Sequence, residues 1–272
     1  MAETTTAAVT VGYWEESRQP IYSAALILPF ILIYEVGIVA LRSSFINGGD
    51  AIVRTLFGRF FNLVGVRISF ISVLVLLVCF LIWQIRKKGR WSLQGPVLAA
   101  TFFESLLYAV VLFLLLAYVV QYLPGEIRAP AREIAGFSQV EPAGGPKLGT
   151  GLVAAAKGSG KGPALQDFVL YCGAGVYEEL VFRVMLLGLL MLVFTKLFHM
   201  EHAYAAAWSV IFGALIFSGF HHVGGEPFQF GPFAQRAFAG VYFSAIYFNR
   251  SFGIAAASHA LYDILVGLNY LR

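Results

Sequence analysis

Residues 173–190 begin Gly173-Ala174-Gly175-Val176-Tyr177-Glu178-Glu179-Leu180-Val181-Phe182-Arg183, and they decide the fold class. The stretch lies inside an apolar run from about residue 165 to 197, yet it carries Glu178, Glu179 and Arg183. At the centre of a lipid-spanning helix each such group costs roughly 2.5–3.5 kcal/mol on insertion scales. Each flanking Leu, Val or Phe returns only about 0.3–0.6 kcal/mol. A chain that keeps three ionisable groups there is expected to use at least one of them. At about 100° per residue, Glu179 and Arg183 are i,i+4 neighbours on one helical face and can pair. Glu178 points about 100° away, and its own i±3 and i±4 positions are Ala174, Gly175, Val181 and Phe182. The reading that follows gives Glu179 and Arg183 a structural ion pair and Glu178 the chemistry. The alternative is one buried packing network that includes both glutamates.

The 272-residue chain is 59% hydrophobic and 12% charged, with a mean hydropathy of +0.76. That charge content is about half the usual globular value. Apolar runs near twenty residues recur, so the chain is expected to be an all-α, polytopic membrane bundle of about seven to eight helices. A pI near 9.1 suits basic loops beside a bilayer and does not call for nucleic acid. Cys79 and Cys172 are the only cysteines, both in apolar segments, and suggest neither a disulfide framework nor a cysteine metal site. Glu3, Glu15 and Glu16 precede the first apolar run without a basic region, so that run reads as a retained span, not a cleaved signal. The expected location is a multi-pass protein of a bacterial plasma membrane.

Residues 1–272 read as a single membrane domain: a polar tail over 1–19, then spans near 20–41, 66–85, 97–122, 165–197, 203–221, 231–248 and 252–271. The first span contains Glu35 and the third Glu104. Asn47-Gly48-Gly49-Asp50 signals a turn, and Arg54 and Arg59 among apolar residues suit a helix lying in the interface, or an eighth span over 48–65. Arg86-Lys87-Lys88-Gly89-Arg90-Trp91 is the strongest basic cluster and is assigned to the cytoplasm. Residues 123–163 are rich in Gly and Pro and read as a long polar loop on the opposite side. No internal repeat is present.

Two further polar sets stand on later spans: Phe217-Ser218-Gly219-Phe220-His221-His222 and His259-Ala260-Leu261-Tyr262-Asp263. His259 and Asp263 are i,i+4 and share a face. Two chemistries fit. In one, Glu178 is a general base that activates water, His221 shares that water, and His259 stabilises the oxyanion. In the other, His221, His259 and Asp263 or Glu178 hold zinc, although no His-Glu-x-x-His helix is present. Span counting sets one difficulty. It places His221 near the end of its helix and His259 near the start of a parallel one, so a misplaced boundary or a broken helix is expected if they meet.

Glu178-Glu179-x-x-x-Arg183, Phe217-x-x-x-His221 and His259-x-x-x-Asp263, in that order, resemble the three motifs of the CAAX-processing and bacteriocin-processing (CPBP, or Abi) intramembrane proteases. The resemblance covers about residues 165–271. It implies a helical membrane endopeptidase acting on membrane-associated peptides or proteins. Glu178 would be the catalytic glutamate, His221 its partner on the water, and His259 with residue 263 the oxyanion-stabilising pair. Glu179, Arg183 and Phe217 would support them. The metal-free mechanism is favoured, with no cofactor, and zinc held by Glu178, His221, His259 and Asp263 is the alternative. This sequence departs from the pattern at Asp263, where Asn often stands; an ionised Asp accepts hydrogen bonds but donates none. A non-catalytic immunity or transport protein is the rival class. A transporter would favour paired repeats with interrupted helices in both halves, whereas the polar groups here concentrate in the second half.

Overall fold

The computed structural model describes residues 12–41, 50–53, 55, 71–121, 165–223 and 228–269. The expected Asn47–Gly49 turn, most of the 48–65 segment, the loop over 123–163 and the start of the tail lie outside the described residues. A short helix α1, Tyr13–Glu16, leads into α2, Pro20–Ala40, where Pro at the first turn supplies a preset φ and loses no hydrogen bond. Then follow α3, Ile71–Lys87, α4, Gly95–Gln121, and the continuous α5, Leu165–Leu197. The last three are α6, His202–Val223, α7, Phe230–Asn249, and α8, Phe252–Asn269. Each of the seven expected spans is thus a helix over its described residues.

Four of these helices, α2, α4, α5 and α6, are long and apolar enough to cross a membrane, and Phe252–Leu268 is apolar but shorter. The outward faces are as apolar as the core. Leu28, Leu32, Val36 and Val39 on α2, and Phe103, Leu107, Leu114 and Tyr118 on α4, are exposed, while Glu178, Glu179, Arg183, His221 and His259 are buried. Apolar outside and polar inside is the arrangement that lipid, not water, rewards. The protein is a polytopic helical membrane protein.

At one end of the bundle the chain termini of several helices are tied together. The Arg90 N–H donates to Gln19 Oε1 at 3.1 Å, and the Gln94 N–H donates to Tyr22 Oη at 2.9 Å. Arg250, in the α7–α8 turn, donates to Glu104 Oε2 at 2.7 Å and to Ser17 Oγ at 3.1 Å, and its guanidinium lies 3.8 Å from the Trp14 ring centroid. Glu104, read above only as an acidic residue within its span, is therefore the half-buried counter-ion of a turn. The α7–α8 connection is pulled beneath the surface, and every residue from Arg250 to Ala260 is buried.

The site depends on how closely α5 and α8 approach. Without a hydrophobic drive between helices in lipid, small residues let backbones come together. Ala255, Ala256, Ala257 and Ala260 on α8 are wholly buried, and Ala256 and Ala260 lie against Gly175 on α5. A Cβ at Gly175 would lie 2.4 Å from the Ala260 nitrogen, 2.5 Å from its Cβ and 2.7 Å from the Ala256 oxygen. Two of these atoms are backbone, so the helices would have to separate. Gly175→Ala is expected to destabilise the protein by roughly 1–3 kcal/mol. Gly188→Ala, where a Cβ meets nothing within 4 Å, is expected to be neutral or to stabilise by up to about 1 kcal/mol. Unfolding curves of the two purified variants in one detergent check the contrast.

Candidate active site

α5 is an α-helix through Glu179 and then widens into a π-helical stretch, Leu180–Leu186. Such stretches recur at functional sites, because the extra residue per turn reaims the side chains around it. The two glutamates therefore stand at the point where the helix changes pitch. Being successive residues, they diverge by about 100°, and each meets a different neighbouring helix.

Glu179 turns toward α8. Its Oε2 lies 3.0 Å from Arg183 Nε, and its Oε1 accepts from His259 Nδ1 at 2.9 Å. The expected Glu179–Arg183 pair is present, and the carboxylate's other oxygen carries a bond that i,i+4 reasoning along one helix did not find. A carboxylate only accepts, so Nδ1 of His259 is the donor. His259 Nε2 faces Asp263 Oδ2 at 3.6 Å. Its ring stacks on Phe243 of α7, centroids 4.6 Å apart and planes 18° from parallel. The sequence offered no signal for Phe243, one aromatic among many on an apolar helix.

Glu178 turns toward α6. Its Oε2 lies 3.9 Å from His221 Nε2, too far for a direct hydrogen bond. His221 Nδ1 donates to the Phe217 carbonyl at 2.8 Å, which leaves Nε2 directed at Glu178 with its lone pair. Phe217 itself sits at the centre. Its ring is edge-on to His221 at 4.9 Å and to His259 at 6.2 Å, and the Arg183 guanidinium lies 4.8 Å from its centroid. A cation over an aromatic face is attracted to the ring quadrupole, so Phe217 covers the charge that pairs with Glu179.

The depth problem set by span counting disappears without a broken α6 or a shifted boundary. α8 starts among buried residues, where Arg250 donates to Glu104 and Ser17, and the His259 ring stands 6.2 Å from Phe217. The adjacent pair Glu178 and Glu179 spans the rest, one reaching each histidine. Glu35, a buried carboxylate of α2, accepts from Tyr177 Oη at 2.6 Å. It fastens α2 to the residue beside Glu178.

Residues 161–265 match the family model described as type II CAAX prenyl endopeptidase, Rce1-like. The Rce1-like region contains Glu178, Glu179, Arg183, Phe217, His221, His259 and Asp263, and so bears out the CPBP resemblance carried by those motifs. The matched family is one of peptide-bond hydrolases. No curated protein and no solved structure matches the chain.

A zinc ion would need several ligands converging on one point. Among the described residues no group of three or more His, Cys, Asp or Glu side chains is arranged to hold a metal ion. His259 directs one ring nitrogen at Glu179 and the other toward Asp263.

Removing one partner of a buried ion pair leaves the other charge uncompensated, at a cost of roughly 3–5 kcal/mol. Arg183→Ala is therefore expected to lower the yield and the melting temperature of the purified protein sharply. Glu179→Gln is expected to do the same and also to free His259. A melting temperature for Arg183→Ala equal to wild type would show that the pair holds nothing together.

Proposed function

We propose that the protein is an intramembrane endopeptidase that hydrolyses peptide bonds of membrane-associated peptides or proteins. The observation that carries the reading is the facing pair Glu178 Oε2 and His221 Nε2, 3.9 Å apart and buried, inside the region that matches a family of endopeptidases. Both atoms are acceptors when His221 is neutral with its proton on Nδ1. Two acceptors at that separation suit one water, which donates a proton to each.

The chemistry then proceeds in balanced steps. Glu178 takes a proton from the water as its oxygen attacks the scissile carbonyl carbon, and negative charge moves to the carbonyl oxygen. His259, held by Glu179 and Phe243, donates to that oxygen from Nε2, a role that requires a proton on this nitrogen. Asp263 steadies the ring from the same side. Collapse of the intermediate breaks the C–N bond, and the proton held by Glu178 passes to the leaving nitrogen. Arg183 and Phe217 act only through the residues they hold. The reaction is read as independent of metal, in keeping with the side-chain arrangement among the described residues. The family description suggests prenylated C-terminal CAAX sequences as a substrate class, and other membrane peptides are the alternative.

Glu178→Gln keeps the shape and removes the base, so turnover is expected to fall by at least about 100-fold with an unchanged melting temperature. Cleavage of a membrane-peptide library by the purified variant at the wild-type rate would overturn the assignment. Asp263→Asn separates the metal-free reading from zinc, because Asn supplies an N–H donor but is a poorer metal ligand. The expected result is retained cleavage, insensitive to chelator, and no stoichiometric metal in either protein. Loss of cleavage together with loss of bound metal would establish zinc instead.

A further inference from the structure

A second feature lies on the bilayer-facing flank, apart from the reacting groups. α3, α5 and the α7–α8 turn enclose a cavity of about 180 Å³, with Leu76, Phe80, Trp83, Leu180, Val184 and Phe252 among its lining. On α3 the lining follows one helical face, Leu76, Phe80 and Trp83, and the next residue on that face is Lys87. Lys87 Nζ lies 5.6 Å from the Trp83 ring centroid, so the apolar cavity ends at a cation.

That cation is not alone. Arg86, Lys87, Lys88 and Arg90 are all exposed, and Trp91 beside them is 65% exposed, as a ring at the membrane–water boundary is. Glu15 on α1 is an exposed carboxylate at this end of the bundle, one against the four cations, and two other acidic groups there are engaged elsewhere. Glu16 is buried and bonded to Gln19 and Tyr22, and Glu104 is taken by Arg250. A hydrocarbon slot that opens under four exposed cations matches one class of molecule in its surroundings, with an apolar chain and a negative headgroup. Clusters of four to eight basic residues at the end of a span attract anionic lipid for the same electrostatic reason.

We propose that the cavity and its basic rim bind an anionic phospholipid of the surrounding bilayer, one acyl chain against Trp83 and the phosphate on the 86–90 cluster. The occupant touches Leu180 and Val184, which belong to the π-helical stretch that also carries Arg183. A chain seated there braces the segment whose pitch aims the two glutamates.

The test uses the full-length protein in phosphatidylcholine vesicles that contain a few per cent of a phospholipid with brominated acyl chains. Bromine quenches a tryptophan that it touches, and the Trp83 signal is the difference between wild type and Trp83→Phe. Brominated phosphatidylglycerol is expected to quench Trp83 severalfold more than brominated phosphatidylcholine at the same fraction. In Arg86→Gln/Lys87→Gln/Lys88→Gln that preference is expected to vanish, since each charge removed weakens binding about fivefold. Raising the salt concentration on the unmutated protein should erode it as well. Equal quenching by the two lipids would overturn the proposal, because the cavity would then hold any neighbouring lipid or an apolar part of a substrate. A preference for phosphatidylglycerol that survives both the substitutions and high salt would overturn it equally.

Discussion

The buried contact between Glu179, Arg183 and His259 is the constraint on which the catalytic half of the bundle depends. Arg183 is almost fully removed from solvent, and its partner Glu179 entirely so. Ions taken out of water cost several kcal/mol each, and geometry has to return that energy. Here one carboxylate answers two demands, since Oε2 meets Arg183 and Oε1 meets His259. The first contact stays within α5 and the second crosses to α8. The pair is thereby also a tie between helices, and it only forms because Gly175 and the alanines of α8 allow the backbones to touch.

Adjacency along the chain produces separation in space. Glu178 and Glu179 sit side by side, yet the helix turns about 100° between them, so one addresses α6 and the other α8. A carboxylate fixed by a guanidinium and an imidazole is poorly placed to exchange protons. A carboxylate facing a histidine across 3.9 Å is well placed to share a water. In our reading the duplicated glutamate is a division of labour, and the opening of the helix into a π-helical stretch directly after Glu179 adjusts where each side chain points.

The far end of the bundle contributes through depth. Arg250, Glu104, Ser17 and Trp14 draw the α7–α8 turn under the surface. This decides how far along α8 the histidine stands when it reaches the level of α6. A polar knot distant from Glu178 thus sets the register of His259. Breaking it would let His259 slide away from Glu178 without a change to either residue.

The helical membrane class was legible from composition and run length, because a continuous apolar run of about twenty residues satisfies its backbone in lipid as a helix, whereas a barrel strand is about half as long and alternates. The Glu179–Arg183 pair was legible too, since 3.6 residues per turn places i and i+4 on one face whatever the tertiary context. The same periodicity singled out Glu178 as the carboxylate with no basic neighbour on its own helix. What one helix cannot tell is what lies opposite it. The Glu179–His259 bond, the stacking of Phe243 on His259 and the central place of Phe217 all join residues far apart in sequence, and they arise from packing, which local periodicity does not encode. Equal span lengths suggested that His221 and His259 stand at different depths. Only the tertiary structure showed both rings packed against Phe217, because that contact joins helices whose meeting local periodicity does not encode.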